Sequence, residues 1–142
     1  MLAPTGWTQR LRSLHQFTVF TVNTPVQHAL AQHLGEPAHY EGLAAFYQAK
    51  RDRFAAGLAG TRWRTMPCQG TYFQCVDYQA LAVPERRLGE QAFCEWLTTE
   101  VGVAAIPLSA FYGEGFEQGL IRLCFAKQDS TLDQALALLQ KL

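Results

Sequence analysis

Arg122 is the residue whose type and setting most suggest chemistry. It stands between Ile121 and Leu123, in a run otherwise apolar from Leu120 to Ala126. A guanidinium in an apolar strand is costly to desolvate unless a carboxylate or phosphate meets it. Its planar fork suits bidentate capture of a carboxylate. The pattern also fits a structural arginine, turned to solvent or paired with Glu114 or Glu117, and pattern alone favours that structural role. The segment from Pro107 to Gly119 holds Ser109, Phe111, Tyr112 and the glycines Gly113, Gly115 and Gly119. It reads either as a mobile loop closing over something apolar or as an ordinary long connection. The glycine spacing does not match a dinucleotide fingerprint and no helix follows at once, so it is weak as a phosphate cradle. From Gln16 to Thr24, Phe17, Phe20 and Asn23 stand among threonines, and packing is the simplest account of them.

Other chemistry does not assemble. A Gly-x-Ser-x-Gly nucleophile elbow is absent, and no Ser-His-Asp or Cys-His set can be drawn. The lysines are Lys50 on a charged helical face, Lys127 just past a strand, and Lys141 at the C-terminus. None has the apolar setting that would depress its pKa for Schiff-base chemistry. Cys68, Cys75, Cys94 and Cys124 form no Cys-x-x-Cys pair and lie near no histidine at metal-ligand spacing. They read as reduced thiols, with Cys75 and Cys124 acting as small hydrophobes inside strands. His15, His28, His33 and His39 crowd the first forty residues, and His28 and His33 fall on different helical faces. The residues alone thus offer one plausible carboxylate site, and no catalytic, cofactor-binding or metal-binding set.

The elements that would position this site follow from periodicity. A helix is expected over Gly6 to His15, then a β-branched, aromatic run from Phe17 to Val22 that fits a strand or an extended crossing segment. Thr24 caps the next helix with Pro25 at its first position and Gln27 completing a capping box; it runs to Leu34 and stops at Gly35. Tyr40 to Leu58 reads as one long helix with Leu43, Phe46, Tyr47, Phe54 and Leu58 on its apolar stripe. A strand pair follows, Thr61 to Met66 and Thr71 to Val76, turning at Pro67 to Gly70. A helix spans Glu90 to Val101 with Phe93, Leu97 and Val101 on one face. Gly102 ends it, and a short buried strand runs from Val103 to Pro107. Leu120 to Ala126 is the strongest strand. Ser130 caps a last helix with Leu132, Leu136 and Leu139 inside. From Thr61 onward the order is that of a compact α+β unit, whereas the first forty residues have no sheet of their own.

Composition narrows the class. The chain has 142 residues, 12 Lys and Arg against 12 Asp and Glu, and is 49% hydrophobic. That is enough for one packed domain and argues against disorder. The balanced charge argues against nucleic acid as a partner. No apolar run is long enough to span a membrane, and the N-terminus lacks the marks of a signal peptide.

The residues carry a resemblance as well. In order come Gly70-Thr71-Tyr72-Phe73, the run from Gly102 to Tyr112 (GVAAIPLSAFY), and Ile121-Arg122-Leu123-Cys124-Phe125-Ala126-Lys127. Upstream stand His15-Gln16-Phe17, Val22 to Gln27 (VNTPVQ), and Tyr47-Gln48-Ala49-Lys50-Arg51-Asp52. Together they resemble the C-terminal part of class I/II, fold type I, pyridoxal-phosphate-dependent aminotransferases, nearest the methionine, kynurenine and glutamine aminotransferase group. The implied fold is α/β: an α+β small domain over 61–142, with a small sheet packed by helices, an interdomain linking helix over 39–60, and over 1–38 a helical remnant of the large cofactor-binding domain.

The resemblance implies that Arg122 grips the substrate α-carboxylate, which outweighs the structural role that pattern alone favours. It implies that Phe73 lines the substrate side of the small domain, and that Val22 and Asn23 reach the neighbouring subunit's active site. The related dicarboxylate-specific enzymes carry an arginine near Thr18; none lies between Arg12 and Arg51 here. The implied reaction therefore moves an amino group from an apolar or aromatic L-amino acid to a 2-oxo acid through pyridoxal 5'-phosphate. A cytoplasmic homodimer is implied for the full-length enzyme.

The family's Schiff-base lysine, phosphate-binding residues, pyridine-pairing aspartate and ring-stacking aromatic precede the segment matching Met1. The expectation is accordingly an aminotransferase fragment without the cofactor linkage. The alternative is a non-catalytic α+β ligand-binding or interaction module derived from the small domain. The segment from Met1 to Pro37 is expected to be the weak point, because Phe17, Val19, Phe20 and Val22 would be covered by parts outside these residues.

Overall fold

The computed structural model describes residues 3–142 and divides into two compact units, Met1–Gly42 and Leu43–Leu142. The first unit is helical: α1 spans Thr5–Thr18, α2 Thr24–Leu34 and α3 Ala38–Glu41. None of these helices buries a residue, and Phe17 and Phe20 are 84% and 90% exposed. The expected strand over Phe17 to Val22 does not form. Its first residues complete α1, where Thr18 Oγ1 donates to the Leu14 carbonyl, and the rest is irregular. A β-branched run gains extended structure only from a neighbouring strand, and the described residues of this unit form none. Phe20 even takes a positive φ of 64°. The cap of α2 is Asn23 rather than Thr24: Asn23 Oδ1 accepts the Val26 N–H at 3.1 Å, and Thr24 already lies inside the helix.

The second unit opens with α4, Leu43–Leu58. The helix expected from Tyr40 is interrupted at Gly42, which caps α3. Of its predicted stripe only Phe54 and Leu58 are buried, while Leu43 and Phe46 stay exposed. The sheet has four strands in the order β1-β2-β4-β3, all antiparallel: β1 Arg64–Thr65, β2 Phe73–Asp77, β3 Ile106–Pro107 and β4 Leu120–Cys124. β1 is shorter than expected, and its turn is secured by a buried amide. Gln74 Nε2 donates to the carbonyls of Met66 (2.6 Å) and Cys75 (2.8 Å). The strand expected over Val103 to Pro107 shrinks to its last two residues, although Val103 is buried.

Alternation on the two central strands sorts side chains by face. Gln74 and Val76 of β2 and Ile121 and Leu123 of β4 point into the core, while Phe73, Cys75 and Arg122 lie half-buried on the opposite face. The core is completed by Phe93 and Leu97 and by Leu132, Leu136 and Leu139, together with Trp63 and Tyr78. Tyr78 stacks on Phe93 at 3.9 Å. α5 covers Glu90–Trp96 and loosens into a π-helical turn over Leu97–Val101, which Gly102 ends at φ +86°. α6 covers Asp129–Leu139 and begins one residue before the expected cap, with no side-chain cap. Two acids of its N-terminal half instead reach α4, Asp129 bonding Lys50 at 2.6 Å and Asp133 bonding Arg53 at 2.6 Å.

One buried acid ties the loop between β3 and β4 to α5. Glu90, 0% exposed, accepts backbone N–H bonds from Ser109 (2.5 Å), Gln118 (2.7 Å) and Leu120 (3.1 Å). The reverse bond runs from the Glu90 N–H to Glu117 Oε1 at 3.0 Å. A Cβ at Gly89 would come within 2.7 Å of that oxygen, so a larger residue there would push the Glu117 carboxylate aside.

Two stability predictions follow from these contacts. Trp63 Nε1 donates to the Leu139 carbonyl at 2.9 Å, joining the start of the sheet to the end of α6. W63F is expected to lower urea-unfolding stability by about 1–3 kcal/mol through the lost bond and volume. Burial pushes the Glu90 carboxyl up, but the N–H groups of Gln118, Leu120 and Ser109 together outweigh it and hold the group below its ordinary 4.5. The folded chain thus binds fewer protons at Glu90 than the unfolded chain. Its stabilisation is complete above about pH 4.5 and is lost as pH falls through the depressed value. E90Q should flatten the acid limb of a urea-midpoint-against-pH profile, and an unchanged limb would contradict this.

Candidate carboxylate site

β4 places Arg122 mid-strand, directly opposite Cys75 of β2 and beside Ile106 of β3. Its guanidinium carbon lies 4.5 Å from the Phe73 ring centroid and 4.9 Å from that of Phe111. Phe73 comes from the start of β2, whose register with β4 puts it on the arginine's face. Phe111 comes from the short 3-10 turn Leu108–Phe111 that follows β3. It is 59% exposed, so the arginine contact accounts for only part of its surface.

Two aromatic rings can hold a guanidinium through its faces, which leaves the in-plane N–H edge for an oxygen ligand. Among the described residues, the Arg122 guanidinium forms no ion pair and no hydrogen bond within the chain. Glu117, one partner considered from sequence, instead receives the Glu90 N–H, and the Glu114 side chain lies outside the described residues. Cys75 adds no anion. Burial pushes its thiol up, with Arg122 pulling only partly the other way. The outcome is a fixed cationic fork, half-buried, with its strong donors unspent.

The other residues singled out do not converge on this point within one unit. Val22 and Asn23 belong to Met1–Gly42; Asn23 spends its carbonyl oxygen on the α2 cap, and Val22 is exposed. An open cavity of about 460 Å³ between α4 and the β1–β2 turn is lined by Tyr47, Arg51, Thr71, Tyr72 and Phe125, but not by Arg122. Arg51 there is already bonded to the Cys68 carbonyl and to Asp52. Among the described residues no three His, Cys, Asp or Glu side chains come together as a metal site, and no helix is long and apolar enough to cross a membrane. Sequence reasoning missed Glu90. An acid at the first position of a helix is commonplace, and its distinguishing feature, three N–H groups from 19 to 30 residues downstream, exists only in space.

Comparison with known proteins gives this geometry a setting. The family model for aminotransferase class I and II matches residues 2–139. The methionine aminotransferase of Escherichia coli (strain K12) is 48% identical over 142 residues, covering 99% of this chain and 36% of that protein. Its solved structure superimposes with a TM-score of 0.88 over the same shares. A probable N-succinyldiaminopimelate aminotransferase of Mycobacterium tuberculosis is 36% identical over 136 residues, covering 89% of this chain and 33% of that protein. The solved N-succinyldiaminopimelate aminotransferase structure from Mycobacterium tuberculosis gives a TM-score of 0.84 at 34% identity, covering 98% of this chain and 36% of that one. Kynurenine–oxoglutarate transaminase 3 of Rattus norvegicus is 32% identical over 151 residues, covering 94% of this chain and 33% of that protein. The chain therefore spans about a third of the length of the relatives it matches. Its small antiparallel sheet and helices match an α/β portion of their fold, and the chain belongs to the class I and II aminotransferase family.

Proposed function

We propose that these residues form the substrate-carboxylate end of an aminotransferase acting on an apolar or aromatic L-amino acid and a 2-oxo acid. The observation that carries this is Arg122, lying against the Phe73 and Phe111 rings with no acid of the described residues on its fork. In this proposal Arg122 takes the α-carboxylate through a bidentate, charge-assisted pair, and Phe73 borders the bound substrate. Residues 61–142 act as the small domain, 39–60 as the linking helix, and 1–38 as part of the large domain. Val22 and Asn23 serve the neighbouring subunit's site in a cytoplasmic homodimer. Lack of an arginine between Arg12 and Arg51 supports a substrate with a single carboxylate.

Pyridoxal phosphate is the cofactor the family implies, and the described residues do not fit it. Lys50 Nζ is taken by Asp129 at 2.6 Å and the Lys127 carbonyl at 2.8 Å, while Lys127 and Lys141 are exposed on the surface. None has the apolar surroundings that would make a lysine reactive toward an aldehyde. No reaction step is therefore assigned to these residues beyond recognition of the carboxylate. The same observation supports a second proposal for the chain by itself, a non-catalytic module that binds a ligand or a partner.

Two measurements test the proposal. In an NMR titration of the chain with L-methionine, the Arg122 Nε–H resonance is expected to move, and to move less with L-aspartate or L-methionine methyl ester. R122K, which cannot form the fork, should weaken L-methionine binding by about 10- to 100-fold, the range expected for a lost charged hydrogen bond. Equal binding by wild type and R122K would remove Arg122 from the site. Titration with pyridoxal phosphate is expected to yield no lysine-linked absorbance band, and such a band would show that one of the three lysines takes the cofactor.

A further inference from the structure

The loop from β3 to β4 carries Phe111, yet what fixes its position lies outside it. Glu90 sits at the first position of α5 and is fully buried, and no Lys or Arg of the described residues pairs with it. A buried carboxylate without a cation is costly unless donors compensate it. Here the donors are three main-chain N–H groups, and their placement is informative. Ser109 bonds Glu90 Oε2 at the loop's entrance, and Gln118 and Leu120 bond Oε1 at its exit. Ser109 is two residues before Phe111, and Leu120 is two residues before Arg122. One carboxylate thus anchors both chain segments that bring ring and guanidinium together at 4.9 Å.

The chemistry of the anchor matters as well. An ionised carboxylate only accepts, and so it matches three donors at once. A glutamine of the same shape would turn an NH₂ group against one of them. The reciprocal bond from the Glu90 N–H to Glu117 Oε1 closes the loop onto the helix from the other side. Glu90 makes no hydrogen bond to the Arg122 side chain, so it acts on the guanidinium through the backbone.

We propose that Glu90 is a positioning residue of the carboxylate site: by holding both ends of the β3–β4 loop it sets Phe111 against the Arg122 guanidinium and so fixes how that guanidinium presents its donors. The proposal rests on Arg122 being the carboxylate site argued above, and it concerns a residue that touches neither ligand nor guanidinium.

The test is a double-mutant cycle in the full 142-residue chain, using E90Q, F111A and E90Q/F111A with E90D as the conservative variant. It is read at the Arg122 Nε–H resonance and in L-methionine affinity. E90Q is expected to carry the Arg122 resonance toward its F111A position and to weaken L-methionine about five- to tenfold, a coupling of the size found within shared networks. With Phe111 already removed, E90Q should cost little more, and E90D should recover part of the loss. An E90Q effect that is as large in the F111A background, or an Arg122 resonance unmoved by E90Q, overturns the proposal.

Should E90Q fail to fold, amide exchange on the wild-type chain decides. Ser109 and Gln118 lie in no strand, yet their N–H groups are expected to be protected along with that of Leu120. Fast exchange at Ser109 and Gln118 overturns the proposal. If wild type binds no L-methionine while E90Q still moves the Arg122 resonance, the carboxylate site fails and the positioning stands. If L-methionine binds and E90Q changes nothing, the positioning alone fails.

Discussion

The pairing of β2 with β4 is the contact on which the second unit depends. Its register sets Val76 opposite Ile121 and Cys75 opposite Arg122. Because side chains alternate along a strand, this one register decides two things together. It gathers Val76, Ile121 and Leu123 on the face that α5 and α6 cover, and it assembles Phe73, Cys75 and Arg122 on the other. A shift of one residue would drive a guanidinium into a core of Phe93, Leu97 and Leu139, an arrangement that desolvation of the charge forbids. The cost of burying Arg122 wrongly thus enforces the register that displays it.

The site is an electrostatic arrangement left incomplete. Several charges of this unit find partners: Lys50 and Arg53 of α4 reach Asp129 and Asp133 of α6, and Arg51 meets Asp52. Arg122 is set apart by being half-buried, bracketed by two rings and opposed by no described acid. Rings stabilise the cation without consuming its N–H groups, so they orient the donors while leaving them available. Glu90 is the mirror case, an anion satisfied by backbone N–H groups rather than by a cation. The two groups stay unpaired with each other because each is matched to a different class of partner.

Much of this was legible along the chain. Apolar spacing marked the sheet strands that carry the site, the inner face of α6 at Leu132, Leu136 and Leu139, and the stop at Gly102, since those features follow from local periodicity and from the left-handed backbone that glycine accepts. Arg122 stood out for the same reason, as a charge inside an apolar run. The first unit was read less well. The run from Phe17 to Val22 has the composition of a strand but no ladder to join, and the cap of α2 fell on Asn23 because its side chain reaches the Val26 N–H. Asp129 and Asp133 of α6 took partners on α4 about eighty residues earlier in the chain.

By itself, then, the sequence determined the order of the second unit's main elements, the apolar faces of its central strands and last helix, the single arginine worth asking about, and the family its motifs resemble. Each of these is written in neighbouring residues, where spacing and intrinsic preference act. Only the tertiary structure decided that Arg122 lacks a partner among the described acids, that Phe111 rather than a carboxylate lies against it, and that Glu90 is buried beneath the loop. Those outcomes depend on which backbone N–H groups and rings are brought within a few ångströms across tens of residues. Hydrogen bonds and cation–ring contacts at such range leave no periodic trace in the chain, because their partners are chosen by packing and not by spacing.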